Sequence, residues 1–503
     1  MIFRDWLKEL DYTLLQGSVD VETEDVIYDS RKAAPGKVFV AMKGIRVDGH
    51  SFIPQVLKAG VRVLVTERPV EEELKNSGLS EEELKQVTVV MVEEGRHALA
   101  LLSAARFDHP AKKLVMIGVT GTKGKTTTTH MIRAILLAAG KKVGMIGTTG
   151  TVIGDVVTPT LNTTPESYEL HQAFAQMVEA GCEYAVMEVS SQGIKMHRTD
   201  GLYFNYAIFT NISPDHIGPG EHADFEEYLY YKTRLLNMCG IGLVNKDDKH
   251  APQIIKAANC ELYTYSEESK EADFVASDIR YVSQPDFVGT EFHISGKYDM
   301  EVRLGIPGLF NVVNALAAVS VCSFLGLDQA RISHALENIR VNGRMEIVYT
   351  SERCTVLVDY AHNAVSMESL LSTLRDYKPK RLVCVFGCGG NRSKDRRYSM
   401  GEIGGKMADL SIITADNSRY EKVEDIIADI RGSIEKTGGK FIEIPDRREA
   451  IRYSILHAQP GDMVAVIGKG HEDYQEINGV RHHFLDREVI EEAVRELREK
   501  EQG

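Results

Sequence analysis

The sequence predicts an α/β protein of three domains, each built on a largely parallel sheet. Three observations carry this. The chain has 503 residues, which at about 150 residues per domain suggests three. Short apolar, β-rich runs alternate with helical patterns along its whole length. A glycine-rich loop sits between one such run and a long helical pattern, in the strand–loop–helix order of an anion-binding turn.

In the first segment, expected as residues 1–108, Val61–Val65 and Val87–Val92 read as strands. The charged stretch Glu71–Lys85 reads as exposed helix and loop. A turn at Asp108-His109-Pro110 closes the segment. The second, residues 109–340, opens on Leu114–Val119, apolar throughout like a strand buried on both faces. Val143–Ile146, Tyr184–Val189 and Tyr206–Phe209 follow, separated by helical patterns. The third, residues 341–503, begins near Val341-Asn342-Gly343-Arg344. Its strands are Thr355–Val358, Arg381–Phe386 and Met463–Ile467, and its C-terminus is helical. No internal repeat or low-complexity linker is evident.

Composition excludes several classes. Hydrophobic residues make up 43% and charged residues 26%, the balance of a soluble globular protein. The net charge of -14 argues against nucleic-acid binding, which requires a basic footprint. Seven scattered cysteines suit reduced thiols rather than a disulfide framework, and Cys384 and Cys388 lack the further ligands a structural zinc requires. No apolar run approaches the roughly 18 residues of a membrane span, and the N-terminus has no signal-peptide pattern. The expectation is a cytoplasmic, monomeric protein with neither nucleic-acid partner nor membrane insertion.

The run Gly121-Thr122-Lys123-Gly124-Lys125-Thr126-Thr127 carries the clearest chemistry. Glycines let backbone N–H groups approach phosphate oxygens, and the helix that follows adds its positive dipole end. Lys125 is placed to reach the β- and γ-phosphates of ATP, and Thr126 to ligate magnesium. The usual spacing puts a glycine where Val119 stands, so the loop is a variant with its early glycine at Gly121. Glu188 ends a parallel strand, where an acidic residue faces the ligand crevice and can ligate magnesium. His216 lies in a polar loop after a strand, open to metal ligation or to a general-base role. Lys232, in Glu227–Arg234, reads from its neighbours as a helix-surface lysine without a catalytic role.

Together, in this order, these pieces resemble the Mur ligase family, in the branch that adds a diamino acid to UDP-N-acetylmuramoyl-L-alanyl-D-glutamate. The resemblance runs from Asp29-Ser30-Arg31 to Gly468-Lys469-Gly470-His471-Glu472. It rests on Gly121–Thr127, Asn162-Thr163-Thr164-Pro165, Glu188-Val189-Ser190-Ser191, Asn211–His216, Pro307–Asn311, Gly343-Arg344 and Asp359–Asn363. It implies a UDP-binding N-terminal domain, a central P-loop-type ATP domain and a Rossmann-like C-terminal domain that brings the amino acid. The implied reaction makes an acyl-phosphate from a peptide carboxylate and ATP, which the amine of the amino acid then attacks. A related ligase with another acceptor, of the folylpolyglutamate type, is the alternative. The Asn162–Pro165 and Ser190–Arg198 segments favour the muramoyl-dipeptide.

By this resemblance Ser30 contacts the uridine-diphosphate part, with His50-Ser51-Phe52 nearby, and Thr163, Thr164, Ser190 and Arg198 hold the muramoyl-dipeptide. Asn311, Arg344 and Asp359 join the loop residues at the nucleotide. Thr126, Glu188 and His216 surround magnesium. Lys232 matches a lysine carried as a carbamate, an anion able to ligate that metal.

The incoming amino acid rests on Arg392, Asp416, Asn417, Ser418, Arg419, Gly468 and Glu472. The diaminopimelate-adding branch typically carries Asp-Asn-Pro-Arg. Here Asp416-Asn417-Ser418-Arg419 keeps the arginine and lacks the proline, which is expected to loosen the turn that aims Arg419. Arginine binds a carboxylate as a bidentate fork, and meso-diaminopimelate has one carboxylate more than L-lysine, so diaminopimelate is favoured, with lysine next. Two features point the other way. Asp215–His222 with Asp224-Phe225-Glu226 looks more like the lysine-adding lineage, and Met196 replaces a common glutamine.

Overall fold

The computed structural model describes residues 1–44 and 47–502. They form two compact units, one of residues 1–265 with 320–325, the other of residues 266–319 with 326–503.

The first unit holds two sheets. The smaller has the order Thr13–Gln16, Thr88–Met91, Val63–Thr66, Lys37–Val40, Asp25–Ile27, antiparallel only at its first pair. Alternate residues point to opposite faces, so one face packs Val38, Val40 and Val65 against Leu99 and Leu102 of the helix Gly95–Arg106. The other packs Phe39 and Leu64 against Val56 and Leu57 of the helix Ile53–Lys58. The turn expected at Asp108-His109 is present, and both residues adopt left-handed backbone angles there.

The larger sheet runs Glu261–Ser266, Cys239–Asn245, Phe204–Phe209, Val115–Thr120, Tyr184–Glu188, Val143–Gly147, all parallel. A hairpin, Gly150–Ile153 with Val156–Thr158, extends its far edge. From Val115–Thr120 the chain builds first to one side and then to the other. The carboxyl end of that strand is therefore the topological switch point, where open α/β sheets bind ligands.

The second unit begins with three antiparallel strands, Phe274–Gln284, Phe287–Gly296 and Met300–Leu304, none of them expected from the sequence. Its main sheet runs Glu346–Thr350, Cys354–Asp359, Asp462–Ile467, Arg381–Phe386, Leu410–Ile413, Phe441–Glu443, parallel except for the first pair. Val356, Val464 and Val383 pack on Ile451 and Ile490 of the helices Arg447–Leu456 and Asp486–Gln502. A hairpin, Tyr474–Ile477 with Val480–His483, follows the strand Asp462–Ile467 and was also not expected. Among the described residues no helix is long and apolar enough to cross a membrane.

Candidate active site

At the switch point the chain explains its own departure from the usual loop. Val119 is still strand, fully buried and paired with Glu188 on one side and Ile208 on the other. The turn comes two residues later, at Gly121 with φ 141°, where a Cβ would lie 1.9 Å from Thr210 Oγ1. Gly124, with φ 88°, precedes the helix Lys125–Ala138. Asn211 clamps the loop from the neighbouring strand: its Oδ1 accepts from Lys123 N at 2.9 Å and its Nδ2 donates to Lys123 O at 3.0 Å. The N–H groups of the first helical turn are left facing the crevice.

Two lysines meet over this loop. Lys125 Nζ donates to Gly121 O at 2.9 Å and to Thr122 O at 3.1 Å. Lys232 Nζ donates to the same Gly121 O at 2.7 Å. The sequence reading of Lys232 as a surface residue is wrong, for it is 2% exposed. It lies on the inner face of the helix Phe225–Thr233, 4.6 Å over the ring of Tyr228 one turn earlier. Burial, helped by the charge of Lys125, holds its amine well below the usual lysine range. Tyr228, not singled out from the sequence, bonds Thr122 Oγ1 at 3.1 Å, and burial raises its phenol to about 12.

Glu188 is buried at the centre of a second cluster. Its Oε1 accepts from Thr126 Oγ1 at 3.0 Å and from Thr148 N at 2.9 Å, and its Oε2 accepts from Thr148 Oγ1 at 3.2 Å. Thr148 was missed, since a threonine after a strand carries no distinctive sequence signal. Its hydroxyl also reaches Thr163 Oγ1 at 3.1 Å. Thr164 Oγ1 donates to the backbone carbonyl of Glu188 at 3.0 Å and accepts from Ser190 N at 3.0 Å. Ser190 Oγ caps the short helix Ser191–Lys195. Arg198 donates to Thr164 O at 3.0 Å and pairs with Glu166 at 2.6 Å. Thr163, Thr164, Ser190 and Arg198 therefore form one network with Glu188.

Two expected residues stand outside it. His216 is exposed, adopts φ 53°, and its Nδ1 lies 3.1 Å from Glu221 Oε1. Ser30 opens a single 3-10 turn capped by Asp29, and no described side-chain hydrogen bond ties it to the other candidates.

The second unit holds the remaining candidates: Asn311 in the helix Leu309–Phe324, Arg344 just before the strand Glu346–Thr350, and the rest at or after the carboxyl ends of its parallel strands. Asn311 Nδ2 donates to Pro307 O at 2.7 Å and approaches the sulfur of Met345 at 3.9 Å. Asp359 accepts from Met345 N and from Ala361 N, both at 2.8 Å, and burial raises its carboxyl. Arg344 lies 4.9 Å over the ring of Tyr360. These three thus share one neighbourhood.

Beside it, Gly468 N donates to Asp359 O at 3.1 Å. A side chain at Gly468 would strike Asp416 Oδ2 at 2.6 Å. Asn417 Nδ2 donates to Glu472 Oε2 at 2.9 Å, and its oxygen accepts from Lys469 Nζ at 3.2 Å and Glu476 N at 2.9 Å. Arg392 and Arg419 flank Gly389, within 3.9 and 3.6 Å of where its Cβ would stand. Ser418 does not leave Arg419 loose. Arg419 N donates to Glu476 O at 3.0 Å, Asn478 N donates to Arg419 O at 2.6 Å, and Arg419 Nη1 donates to Gly390 O at 2.7 Å. The hairpin after Tyr474 holds the turn.

The chain is similar to known proteins along most of its length. Three family models match: the Mur ligase family catalytic domain over residues 23–107, the Mur ligase middle domain over 119–322, and the Mur ligase glutamate ligase domain over 343–470. The chain is 39% identical to the UDP-N-acetylmuramoyl-L-alanyl-D-glutamate–2,6-diaminopimelate ligase of Caldanaerobacter subterraneus, covering 98% of each. It is 37% identical to the ligase of the same name from Clostridium perfringens, covering 97% of this chain and 99% of that one. A solved structure of a ligase of that name superimposes with TM-score 0.72 at 30% identity, covering 95% of each. The chain belongs to the Mur ligase family.

Proposed function

We propose that this ATP-dependent ligase joins meso-diaminopimelate to the D-glutamate carboxylate of UDP-N-acetylmuramoyl-L-alanyl-D-glutamate, a step of peptidoglycan precursor synthesis. One observation carries the reading. The carboxylate of Glu188 holds Thr126 of the phosphate loop, while its carbonyl holds Thr164 of the segment assigned to the muramoyl-dipeptide. A single residue thus ties a γ-phosphate site to a carboxylate site. The names of the relatives support the substrates.

In the reaction a substrate carboxylate oxygen attacks the γ-phosphorus, and the bond from that phosphorus to the β–γ bridging oxygen breaks, releasing ADP. The amine nitrogen then attacks the acyl carbon. The acyl carbon–oxygen bond breaks, phosphate leaves, and the amine gives up a proton. Lys125 and the N–H groups of Gly124–Thr127 hold the phosphate charge as it builds. Arg198, already braced by Glu166, orients the dipeptide. Asn311, Arg344 and Asp359 take the nucleoside.

The donors of Thr126 and Glu188 are hard oxygens 3.0 Å apart, which fits magnesium. When bound, that ion would neutralise the phosphates as the acyl-phosphate forms. His216 is assigned to the outer surroundings of that site. Lys232 fits carbamylation: its Nζ shares one carbonyl with Lys125 and burial favours its neutral form, the form that adds to carbon dioxide and sheds a proton.

We assign the distal amino-acid centre to Arg419, Arg392, Asp416, Asn417, Ser418, Gly468 and Glu472, and the uridine end to Ser30. The functional division 1–108, 109–340 and 341–503 is supported by the breaks between the family-model matches. We assign the work to the cytoplasm, where ATP and nucleotide-linked precursors are available, and the active form to a monomer.

The test is mass spectrometry of the product with diaminopimelate, lysine and ornithine offered together. Gain of the diaminopimelate mass, dependent on ATP, is expected. A product carrying only lysine or ornithine would reassign the pocket, and no mass gain with any of them would overturn the reading.

A further inference from the structure

Away from the phosphate loop, three side chains converge without a role in the reaction. His97 lies in the first turn of the helix Gly95–Arg106, and His197 and Asp200 in the turn after the helix Ser191–Lys195. His97 Nδ1 is 2.6 Å from Asp200 Oδ2, and His197 Nδ1 is 2.8 Å from the same oxygen. All three ligand atoms lie within 4.8 Å of one another. We propose that His97, His197 and Asp200 form a zinc-class metal site that pins the helix Gly95–Arg106 to the turn carrying Arg198.

The donor set fits that class. Two imidazole nitrogens and one carboxylate oxygen suit zinc and its neighbours among transition metals, whereas magnesium and calcium favour oxygen alone. Ligand atoms around a tetrahedral zinc, with bonds of about 2.0 Å, stand roughly 3.3 Å apart. The cluster needs only small side-chain shifts to reach that spacing. Both rings turn the same nitrogen inward, so each presents a lone pair to the ion once its proton is displaced. The histidine side chains are 44% and 39% exposed, which leaves a path for the ion and room for a water as fourth ligand. His197 holds a left-handed backbone angle of 56°, rare for a residue with a side chain, and this turn presents its ring to Asp200.

The position suggests what the ion does. Arg96, next to His97, and Arg198, next to His197, both face Glu166, at 3.8 and 2.6 Å. One carboxylate, Glu166, already bridges the helix and the turn through their arginines. The metal bridges the same two segments through the histidines next to those arginines, His97 after Arg96 and His197 before Arg198. Loading fixes the backbone on either side of Arg198 and so braces the group assigned to the dipeptide.

The experiment titrates Zn²⁺ into the metal-free full-length chain by calorimetry, with Mg²⁺ in excess throughout. One equivalent is expected per chain, with a rise in melting temperature and a lower KM for the UDP-linked substrate. His97→Gln keeps an N–H donor for Asp200 but is a poor zinc ligand. It should fold as the parent does without zinc, and lose zinc affinity by more than the about 100-fold that removal of an outer partner alone can cause. His197→Gln and Asp200→Asn should do the same. Co²⁺ in place of Zn²⁺ should give visible absorption in the parent and none in His97→Gln. Unchanged zinc binding in the double His97→Gln/His197→Gln chain would mean an adventitious ion only and overturn the proposal. So would no binding by the parent, which would leave a hydrogen-bonded His–Asp–His clasp.

Discussion

Among the described residues two lysines are fully enclosed, and they are enclosed differently. Lys469, beside the amino-acid pocket, donates to the Glu472 carboxylate and to the Asn417 amide oxygen, both at 3.2 Å. Lys232, beside the phosphate loop, has a backbone carbonyl that it shares with a second lysine. A buried cation with an anionic partner is a structural element. One without such a partner is driven toward its neutral, nucleophilic form. Lys469 is thus held by an anionic neighbour, whereas Lys232 rests on a backbone carbonyl beside the loop proposed for phosphate.

The largest effect should come from breaking the phosphate side. Lys125→Ala should lower turnover on the order of 10³-fold, because it removes charge stabilisation at the transferring phosphoryl group. Steady-state ADP release measures it, and full turnover would remove the loop from the mechanism. Lys232→Arg, which keeps the charge but cannot form a carbamate, should lose on the order of 100-fold. The parent enzyme in carbon-dioxide-free buffer should lose activity and regain it when bicarbonate is returned. The lowered pKa sets the sign with pH. The neutral amine persists to lower pH than that of an ordinary lysine, and activity falls when acid protonates it. Activity indifferent to carbon dioxide would make Lys232 a structural residue like Lys469.

On the amino-acid side the effects should be smaller and selective. Arg419→Ala should raise the KM for diaminopimelate by roughly 10- to 100-fold with the KM for ATP unchanged, the cost of one unpaired carboxylate. Equal shifts in both would indicate general disruption. Glu472→Gln leaves Lys469 buried with neutral partners and should destabilise the fold by about 1–3 kcal/mol, read by urea denaturation. Ser418→Pro should change diaminopimelate KM by less than about threefold, since the hairpin already fixes Arg419 and proline there mainly restricts the unfolded chain. A large gain in affinity would show that Ser418 leaves the turn underdetermined after all.

The same contrast explains what could be read from the sequence. The parallel strands were legible because their burial on both faces demands continuous apolar runs, as in Val115–Thr120 and Arg381–Phe386. The phosphate loop was legible because anion binding needs glycine and lysine at fixed places. The burial of Lys232 was not. Its helix carries Phe225, Tyr228, Tyr230 and Tyr231 around most of its circumference, so no polar face marks which way the lysine points. The strands from Phe274 to Leu304 alternate apolar with polar residues and are interrupted by a register shift near Asp278, so they lack the continuous signal of a buried strand. The approach of His97 to His197 joins residues far apart in the chain, which no local pattern encodes. The support of Arg419 by Glu476 and Asn478 is likewise a tertiary fact.

Glu188 carries a consequence for inhibition. Its side chain holds Thr126, proposed for the ATP end, and its carbonyl holds Thr164, proposed for the dipeptide end. A compound that draws Thr164 away from that carbonyl would disturb the neighbouring carboxylate without competing for nucleotide, and cellular ATP would not outcompete it. Resistance at Glu188 itself would be self-defeating, because a replacement that escapes the compound at one end gives up the phosphate chemistry at the other.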